Sequence, residues 1–398
     1  MISYQEAKNI ISHHLFKPKT IFIPIEKANG RVLAEDLIAD RDFPPFDRVT
    51  MDGIAIIYTD FEAGIRTFPI AETIGAGMPK KQLNIQGQCV QIMTGAIMPD
   101  GVDTVIRYED ITIEGDDATI NEESIKPQQN VHFKGQDKLA GEVVVNKGTV
   151  LSSAELIVSA SVGKSIIKVL ELPKAAIITT GDELVDINDT PLQHQIRRSS
   201  NYGVQALLNS WEIEVNQFHL KDDKQLMLKE IESILSSYEL IVLTGGVSRG
   251  KFDFLPEVLE ELGIQKHFHK VKQRPGKPFW FGTRGNENTV FALPGNPVSS
   301  FACANVYIKF WLELSLGKTE SKQYAQLGSD LSFSPELTWF IECELKNTDS
   351  GAIEATPFRG NGSGDFANLT LADGFLILPE NQSEFKAGEV YPYIQYRK

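Results

Sequence analysis

Three glycine-rich turns follow one another in this chain: Thr244-Gly245-Gly246-Val247-Ser248-Arg249-Gly250, Arg274-Pro275-Gly276-Lys277-Pro278 and Leu293-Pro294-Gly295-Asn296-Pro297-Val298-Ser299. The first and third each lie between an apolar strand-like run and an amphipathic helix, and the second sits in a basic stretch. All three are therefore able to turn backbone N–H groups or cations toward one anion, and a phosphate-bearing ligand is the first chemistry to expect. Asn296 is a natural N-cap and Pro297 a natural first helical residue, which would leave the N–H groups from Val298 onward facing outward; a plain strand-to-helix cap would use the same residues. The run from Lys266 to Lys277, with Lys270 and Arg274 inside it, combines point charges with a planar fork, both suited to oxyanions. A solvated strand edge would also carry such a run. Carboxylates stand beside turns at Asp52, Asp137, Asp182, Glu183, Asp222, Asp223 and Asp253. Near phosphate-type turns such groups hold a hydrated Mg²⁺ that bridges phosphoryl oxygens, although Asp222 and Asp253 serve equally well as helix caps.

Familiar templates are missing. No GxxxxGK[ST] occurs and no GxGxxG follows a strand, which removes support for a Walker-type NTPase or a dinucleotide site. The histidines lack the i, i+4 pair with Glu of a zinc hydrolase helix, and His13 and His14 read as ordinary helix surface. With 398 residues the chain is too long for one core, and about two to three domains are expected from length alone. Its net charge of -14 opposes a general nucleic-acid or anionic-membrane surface. Cys89, Cys303 and Cys343 form no CxxC pair, so neither a disulfide framework nor a zinc ribbon is indicated. The amino-terminal residues lack a signal-peptide pattern and no apolar run is long enough to span a bilayer, so the expected setting is a reducing cytoplasm.

The elements that must carry these residues follow from periodicity. Ser3 with Glu6 opens a helix through residue 15, and Ser152 with Glu155 opens a second that Gly163 ends. Between about residues 40 and 150, short apolar strands broken by Pro, Gly and Asp turns predict small β-rich modules. After Pro173 the rhythm becomes strand, helix, strand, helix. Strands are expected at 175–179, 213–218 and 240–243, and helices follow Ser199 or Ser200, Asp222 or Asp223, and Asp253. That alternation predicts a doubly wound, mainly parallel sheet with right-handed crossovers, whose ligands bind beyond the carboxyl ends of the strands. Thr179–Glu183, Thr244–Gly250 and Leu293–Ser299 are turns at such ends. From about residue 320 the helical period is lost, which predicts a small carboxyl-terminal β-barrel or sandwich.

Thr180-Gly181-Asp182-Glu183-Leu184, Thr244-Gly245-Gly246-Val247-Ser248, Pro275-Gly276-Lys277-Pro278 and Leu293-Pro294-Gly295-Asn296-Pro297-Val298-Ser299, in that order, resemble the motifs of the molybdopterin molybdenumtransferases (molybdenum insertases, MoeA), which are similar to the E domain of gephyrin. Upstream, Asp42-Phe43-Pro44-Pro45-Phe46-Asp47, Met51-Asp52-Gly53, Met93-Thr94-Gly95-Ala96, Pro99-Asp100-Gly101 and Gly135-Gln136-Asp137 with Gly141 extend the likeness. Gly362-Ser363-Gly364, Ala372-Asp373-Gly374 and Leu378-Pro379 continue it downstream. The resemblance implies that molybdate and adenylyl-molybdopterin give molybdenum cofactor and AMP with Mg²⁺ assistance. It also implies an elongated homodimer with a shared active site and transient contact with other enzymes of molybdenum cofactor biosynthesis, without nucleic-acid or membrane partners. Four domains are implied: a linking and dimerisation domain from 1–41 and 138–170, a β-rich inserted domain at 42–137, an α/β molybdopterin-binding domain at 171–318 and a β-barrel at 319–398.

By the same resemblance Asp52, Glu183, Asp222 and Asp253 surround Mg²⁺, with Lys270, Arg274 and Lys277 beside the leaving phosphate. Thr180, Gly181, Asp182, Thr244, Gly245, Gly246, Ser248, Pro294, Gly295, Asn296 and Pro297 bind the pterin substrate. Arg359, Ser363 and the Lys277 region match molybdate contacts, and Thr94 and Asp137 reach in from the other subunit. The chain departs from the family pattern at Arg48-Val49-Thr50, at Ile54 in place of Tyr, at Arg274 in place of Lys, at Ser199-Ser200-Asn201, at Ala367 or Asn368 in place of a serine, and at Asp373 in place of Asn. Two other readings are open: a molybdopterin adenylyltransferase, which shares the Thr-Gly-Gly turn but is shorter, and a catalytically silent scaffold like gephyrin.

Overall fold

A computed structural model describes residues 1–246, 254–359 and 366–397. The chain divides into two compact units, Ile21–Val169 and Met1–Thr20 with Leu170–Lys398.

In the first unit, a six-stranded sheet is built in the order Thr104–Arg107, Gly53–Ile56, Cys89–Ile92, Thr67–Ile74, Asp117–Ile120, Ile111–Glu114. Its central strand Gly53–Ile56 is buried on both faces, with Ala55 in one apolar cluster and Ile54 and Ile56 in another. Gly53 is dictated by that packing, because a Cβ there would lie 1.8 Å from the Ile106 carbonyl oxygen. A separate ribbon pairs Thr20–Pro24 with Ile166–Leu170. The helix Ser153–Ser161 carries the expected capping box of Ser152 and Glu155, and Gly163 follows at φ 75°.

The larger unit contains the α/β sheet, ordered Val215–Leu220, Ala175–Thr180, Leu240–Thr244, Asn288–Leu293, Trp280–Arg284, Gln265–His269. The first four strands are parallel and the last two antiparallel, so the sheet is mainly parallel as expected. The strands Ala175–Thr180, Leu240–Thr244 and Asn288–Leu293 are wholly buried, which their apolar runs require. Met227, Ile231, Ile234 and Leu235 of one helix and Leu255, Val258 and Leu259 of the next fill a single core against Ala176, Ile178, Ile241 and Leu243. Chain order reverses between Ala175–Thr180 and Leu240–Thr244, a topological switch point where such sheets open a crevice.

Several boundaries differ from the sequence expectation. The first helix ends at Ser12, with His13 as its cap, and His14 leaves the helix to stack on His267 at 3.6 Å between ring centroids. His14 is thus a packing residue between elements rather than helix surface. The strand expected at 213–218 runs Val215–Leu220. Asp223, rather than Asp222, caps the helix Lys224–Leu235, by accepting the Leu226 N–H at 2.9 Å. The helix Ser200–Ser210 has Ser199 at its cap position without a side-chain cap bond. The next helix starts at Leu255 with Phe254 as cap, and Asp253, expected to cap it, lies outside the described residues.

The carboxyl-terminal strands close a five-stranded barrel: Thr338–Asn347, Ile353–Pro357, Gln323–Leu327, Val390–Gln395, Gly374–Leu378 and back to the first. Asp373, where the family pattern has Asn, ties that barrel by accepting the Leu345 N–H at 3.0 Å. Gln273–Arg274 adds to Thr338–Trp339 as a short parallel strand. All three cysteines are buried: Cys89 in the first unit's sheet, Cys303 in the helix Pro297–Cys303 and Cys343 in the barrel. Burial pushes each thiol up to about 12. Among the described residues no helix is long and apolar enough to cross a membrane.

Candidate functional site

At the switch point lies a cavity of about 940 Å³, lined by the turns that leave three neighbouring parallel strands. Thr180 and Gly181 come from the first, Thr244, Gly245 and Gly246 from the second, and Pro294, Gly295, Asn296 and Pro297 from the third. The turns touch. A Cβ on Gly246 would stand 2.7 Å from Thr180 Oγ1, and one on Gly295 would stand 3.5 Å from the Gly245 Cα. Gly245 and Gly246 take φ values of 96° and 68°, a left-handed conformation that only glycine adopts at no cost. The Gly245 N–H donates to the Leu293 carbonyl at 3.1 Å, and the Ser200 hydroxyl to the Gly295 carbonyl at 3.1 Å. Asn296 is the expected N-cap: its Oδ1 accepts the Ser299 N–H at 3.1 Å, and Pro297 occupies the first turn.

Glu183 and Asp222 line the same cavity. Asp182 is not on its wall, but its Oδ1 accepts the Asp222 N–H at 3.5 Å. Nearby, His219 Nδ1 sits 3.1 Å from Thr179 Oγ1, and desolvation, followed by repulsion from Arg198, holds the imidazole below its ordinary value. Among the described residues no group of three or more His, Cys, Asp or Glu side chains is placed to enclose a metal ion.

Among the described residues the cations at this cavity are Arg197 and Arg198, which the reading of sequence did not single out. They arrive on a small parallel ladder, Leu184–Val185 against Ile196–Arg197, that folds back across the strand ends. Arg198 pairs with Asp186, while Arg197 Nε donates to the Asp189 carbonyl at 3.1 Å. On the residues that line the cavity, Arg198 Nε and Asn201 Oδ1 are sealed from water with no hydrogen-bond partner among the described residues. Leu184, Pro191, Ile196 and Phe366 add an apolar rim.

The expected cations stand elsewhere. Lys270, Arg274 and Lys277 do not line the cavity, although Pro278, next to Lys277, does. Lys270 bends the chain at φ 75°, and Arg274 follows the barrel edge with its guanidinium 5.7 Å from the Phe333 ring centre. Beneath that turn, the Gln273 side chain is gripped by the Tyr307 hydroxyl and itself donates to the Gly276 carbonyl at 3.0 Å. Arg359 is exposed and donates to the Asp330 carbonyl at 3.3 Å. Ser248, Asp253 and Ser363 lie outside the described residues.

Asp52, Thr94 and Asp137 belong to the other compact unit. There Asp52 Oδ1 accepts the Thr94 N–H at 2.6 Å, and that bond, joined by the Thr94 hydroxyl, holds the carboxyl below its usual range. Asp137 Oδ1 is 2.9 Å from His132 Nε2, whose Nδ1 is 3.3 Å from Arg48. The departure Arg48 is thereby built into the same charged string as Asp137.

Residues 2–163 match the MoeA N-terminal region (domain I and II), residues 176–313 the probable molybdopterin binding domain, and residues 324–396 the MoeA C-terminal region (domain IV). The chain is similar to a Synechocystis protein named molybdopterin molybdenumtransferase, 39% identical over 396 residues and covering 99% of each. A Staphylococcus aureus protein of the same name is 31% identical over 401 residues, covering 99% of this chain and 95% of the relative. Among solved structures, the molybdopterin biosynthesis moeA protein of Pyrococcus horikoshii OT3 superposes with a TM-score of 0.84 at 28% identity, covering 100% of both chains.

Proposed function

The chain belongs to the MoeA family of molybdopterin molybdenumtransferases, and from that membership we propose that it inserts molybdenum from molybdate into adenylylated molybdopterin, releasing AMP. It is a transferase of molybdenum cofactor biosynthesis, with molybdopterin and molybdate as substrates. The observation that carries the adenylylated form is the single cavity at the switch point, where three strand-end turns converge with two carboxylates and two arginines. Such a floor of N–H groups and hydroxyls suits a pyrophosphate, and the rim of Leu184, Pro191, Ile196 and Phe366 suits flat rings.

Mg²⁺ fits this donor set in a particular way. A closed protein cage is absent among the described residues, but Mg²⁺ is ordinarily held by one or two carboxylates together with substrate phosphates and water. Glu183 and Asp222 are the carboxylates placed for that. When bound, the ion neutralises pyrophosphate charge. Thr180 and Thr244 supply hydroxyls, and the glycine turns orient the phosphates without a side chain in the way. Molybdate is assigned in this reading to Arg359 and Ser363.

The active species is a homodimer in the cytoplasm, with Asp52, Thr94 and Asp137 completing the site of the second subunit, and it meets other enzymes of the pathway transiently. Support for the dimer comes from bare apolar side chains in the linking region: Ile157 is 72% exposed, Phe22 67% and Ile166 58%. The test is a purified-component reaction with adenylyl-molybdopterin, molybdate and Mg²⁺, followed by AMP release and molybdenum content of the product. Molybdate-dependent AMP release is expected; folded protein that releases none above background overturns the reading.

A further inference from the structure

Arg198 differs from Arg197, the other described cation on the cavity wall, in how it is held. Its side chain is only 16% exposed, against 40% for its partner Asp186. Asp186 is its hydrogen-bond partner through one terminal nitrogen, and among the described residues Nε is sealed from water with none. Arg198 lines the cavity and spends a single terminal nitrogen on Asp186, so its guanidinium fork keeps donor capacity for an acceptor that arrives with a ligand. Arg197 is different: it is exposed, and its Nε is already satisfied by the Asp189 carbonyl.

The cavity lining carries charges of both signs. Arg198 takes its ion pair from Asp186 on the ladder, although Glu183, three residues earlier, is on the cavity wall. Glu183 and Asp222 line the same cavity as Arg198. An anion able to bind a cation and a metal ion together suits that lining, and a diphosphate does so. Asp186 is held below the ordinary carboxylate range by the Asn188 backbone N–H, joined by Arg198, which keeps it ionised as an anchor.

We propose that Arg198 grips a phosphoryl oxygen of the substrate in this cavity and that Asp186 is the positioning residue that aims it. The diphosphate identity of the ligand rests on the functional reading above. Lys270, Arg274 and Lys277, expected beside the leaving phosphate, do not line this cavity.

The experiment is calorimetric titration of the full chain with inorganic pyrophosphate and, separately, with adenylyl-molybdopterin, using wild type, R198Q and D186N. A charge-assisted bond of this type corresponds to a loss of about tenfold or more in R198Q, with about threefold in D186N, at unchanged melting temperature. Wild-type affinity for pyrophosphate in both variants overturns the proposal. If R198Q does not fold, D186N decides alone, and unchanged affinity there is the overturning result. Pyrophosphate binding that depends on Arg198, combined with no binding of adenylyl-molybdopterin to wild type, sustains the grip while overturning the functional reading.

Discussion

At the scale of single residues, the site is built from positions where a side chain is excluded. Gly246 combines a left-handed backbone with a Cβ position 2.7 Å from Thr180 Oγ1, so Gly246→Ala is expected to lose about 1–2 kcal/mol from backbone strain alone and to displace a cavity-lining hydroxyl. Urea unfolding and pyrophosphate titration check both halves. The turns Thr180–Glu183, Thr244–Gly246 and Leu293–Pro297 were legible because glycine, proline and a capping Asn encode backbone geometry within a few consecutive residues. Arg197 and Arg198 were not: two arginines before a pair of serines look like solvated surface, and only the ladder folding back over the strand ends gives them a cavity to face. Lys270, Arg274 and Lys277 show the same dependence from the other direction. Charge density marked Lys270, Arg274 and Lys277, but where a charge points depends on the bend at Lys270 and on pairing with Thr338–Trp339, more than sixty residues later.

At the scale of elements, capping boxes, apolar runs and the strand-helix rhythm were readable, since each is a local pattern. The carboxyl-terminal barrel was expected, but its strand order and the two antiparallel strands of the α/β sheet were not, because both depend on which strands meet. The segment after the first helix shows the gap most clearly. His14 and His267 are remote in sequence yet stacked, and His267 Nε2 is 2.8 Å from Thr283 Oγ1. Burial, aided by His14, pushes the His267 imidazole down to about 4. The native state therefore refuses a proton that the unfolded chain accepts near its ordinary value of about 6.5, so this contribution is present above pH 6.5 and lost as the pH falls toward 4. Thermal unfolding from pH 7 to pH 4 is expected to show a falling melting temperature, with a shallower fall in H267Q. An identical slope in the variant contradicts the assignment.

For the whole molecule, the proposed dimer makes a prediction that separates assembly from folding. Ile157 and Phe22 are exposed, so I157E and F22E are expected to change monomer stability by less than about 0.5 kcal/mol while shifting the sedimentation of the protein toward monomer. Activity is expected to fall with the dimer, because Asp52, Thr94 and Asp137 are proposed to serve the other subunit's cavity. A wild type that sediments as monomer at assay concentration removes the premise. The cysteines have a use at this scale as well. One buried thiol stands in the first unit's sheet, one in the α/β region and one in the barrel, each pushed up to about 12. Thiolate, the reactive form, is thus scarce and sealed in the native state at neutral pH, so labelling must wait for each region to open. Mass-resolved alkylation under mild denaturant is expected to read three separate clocks from Cys89, Cys303 and Cys343, reporting without any added probe which part of the molecule yields first.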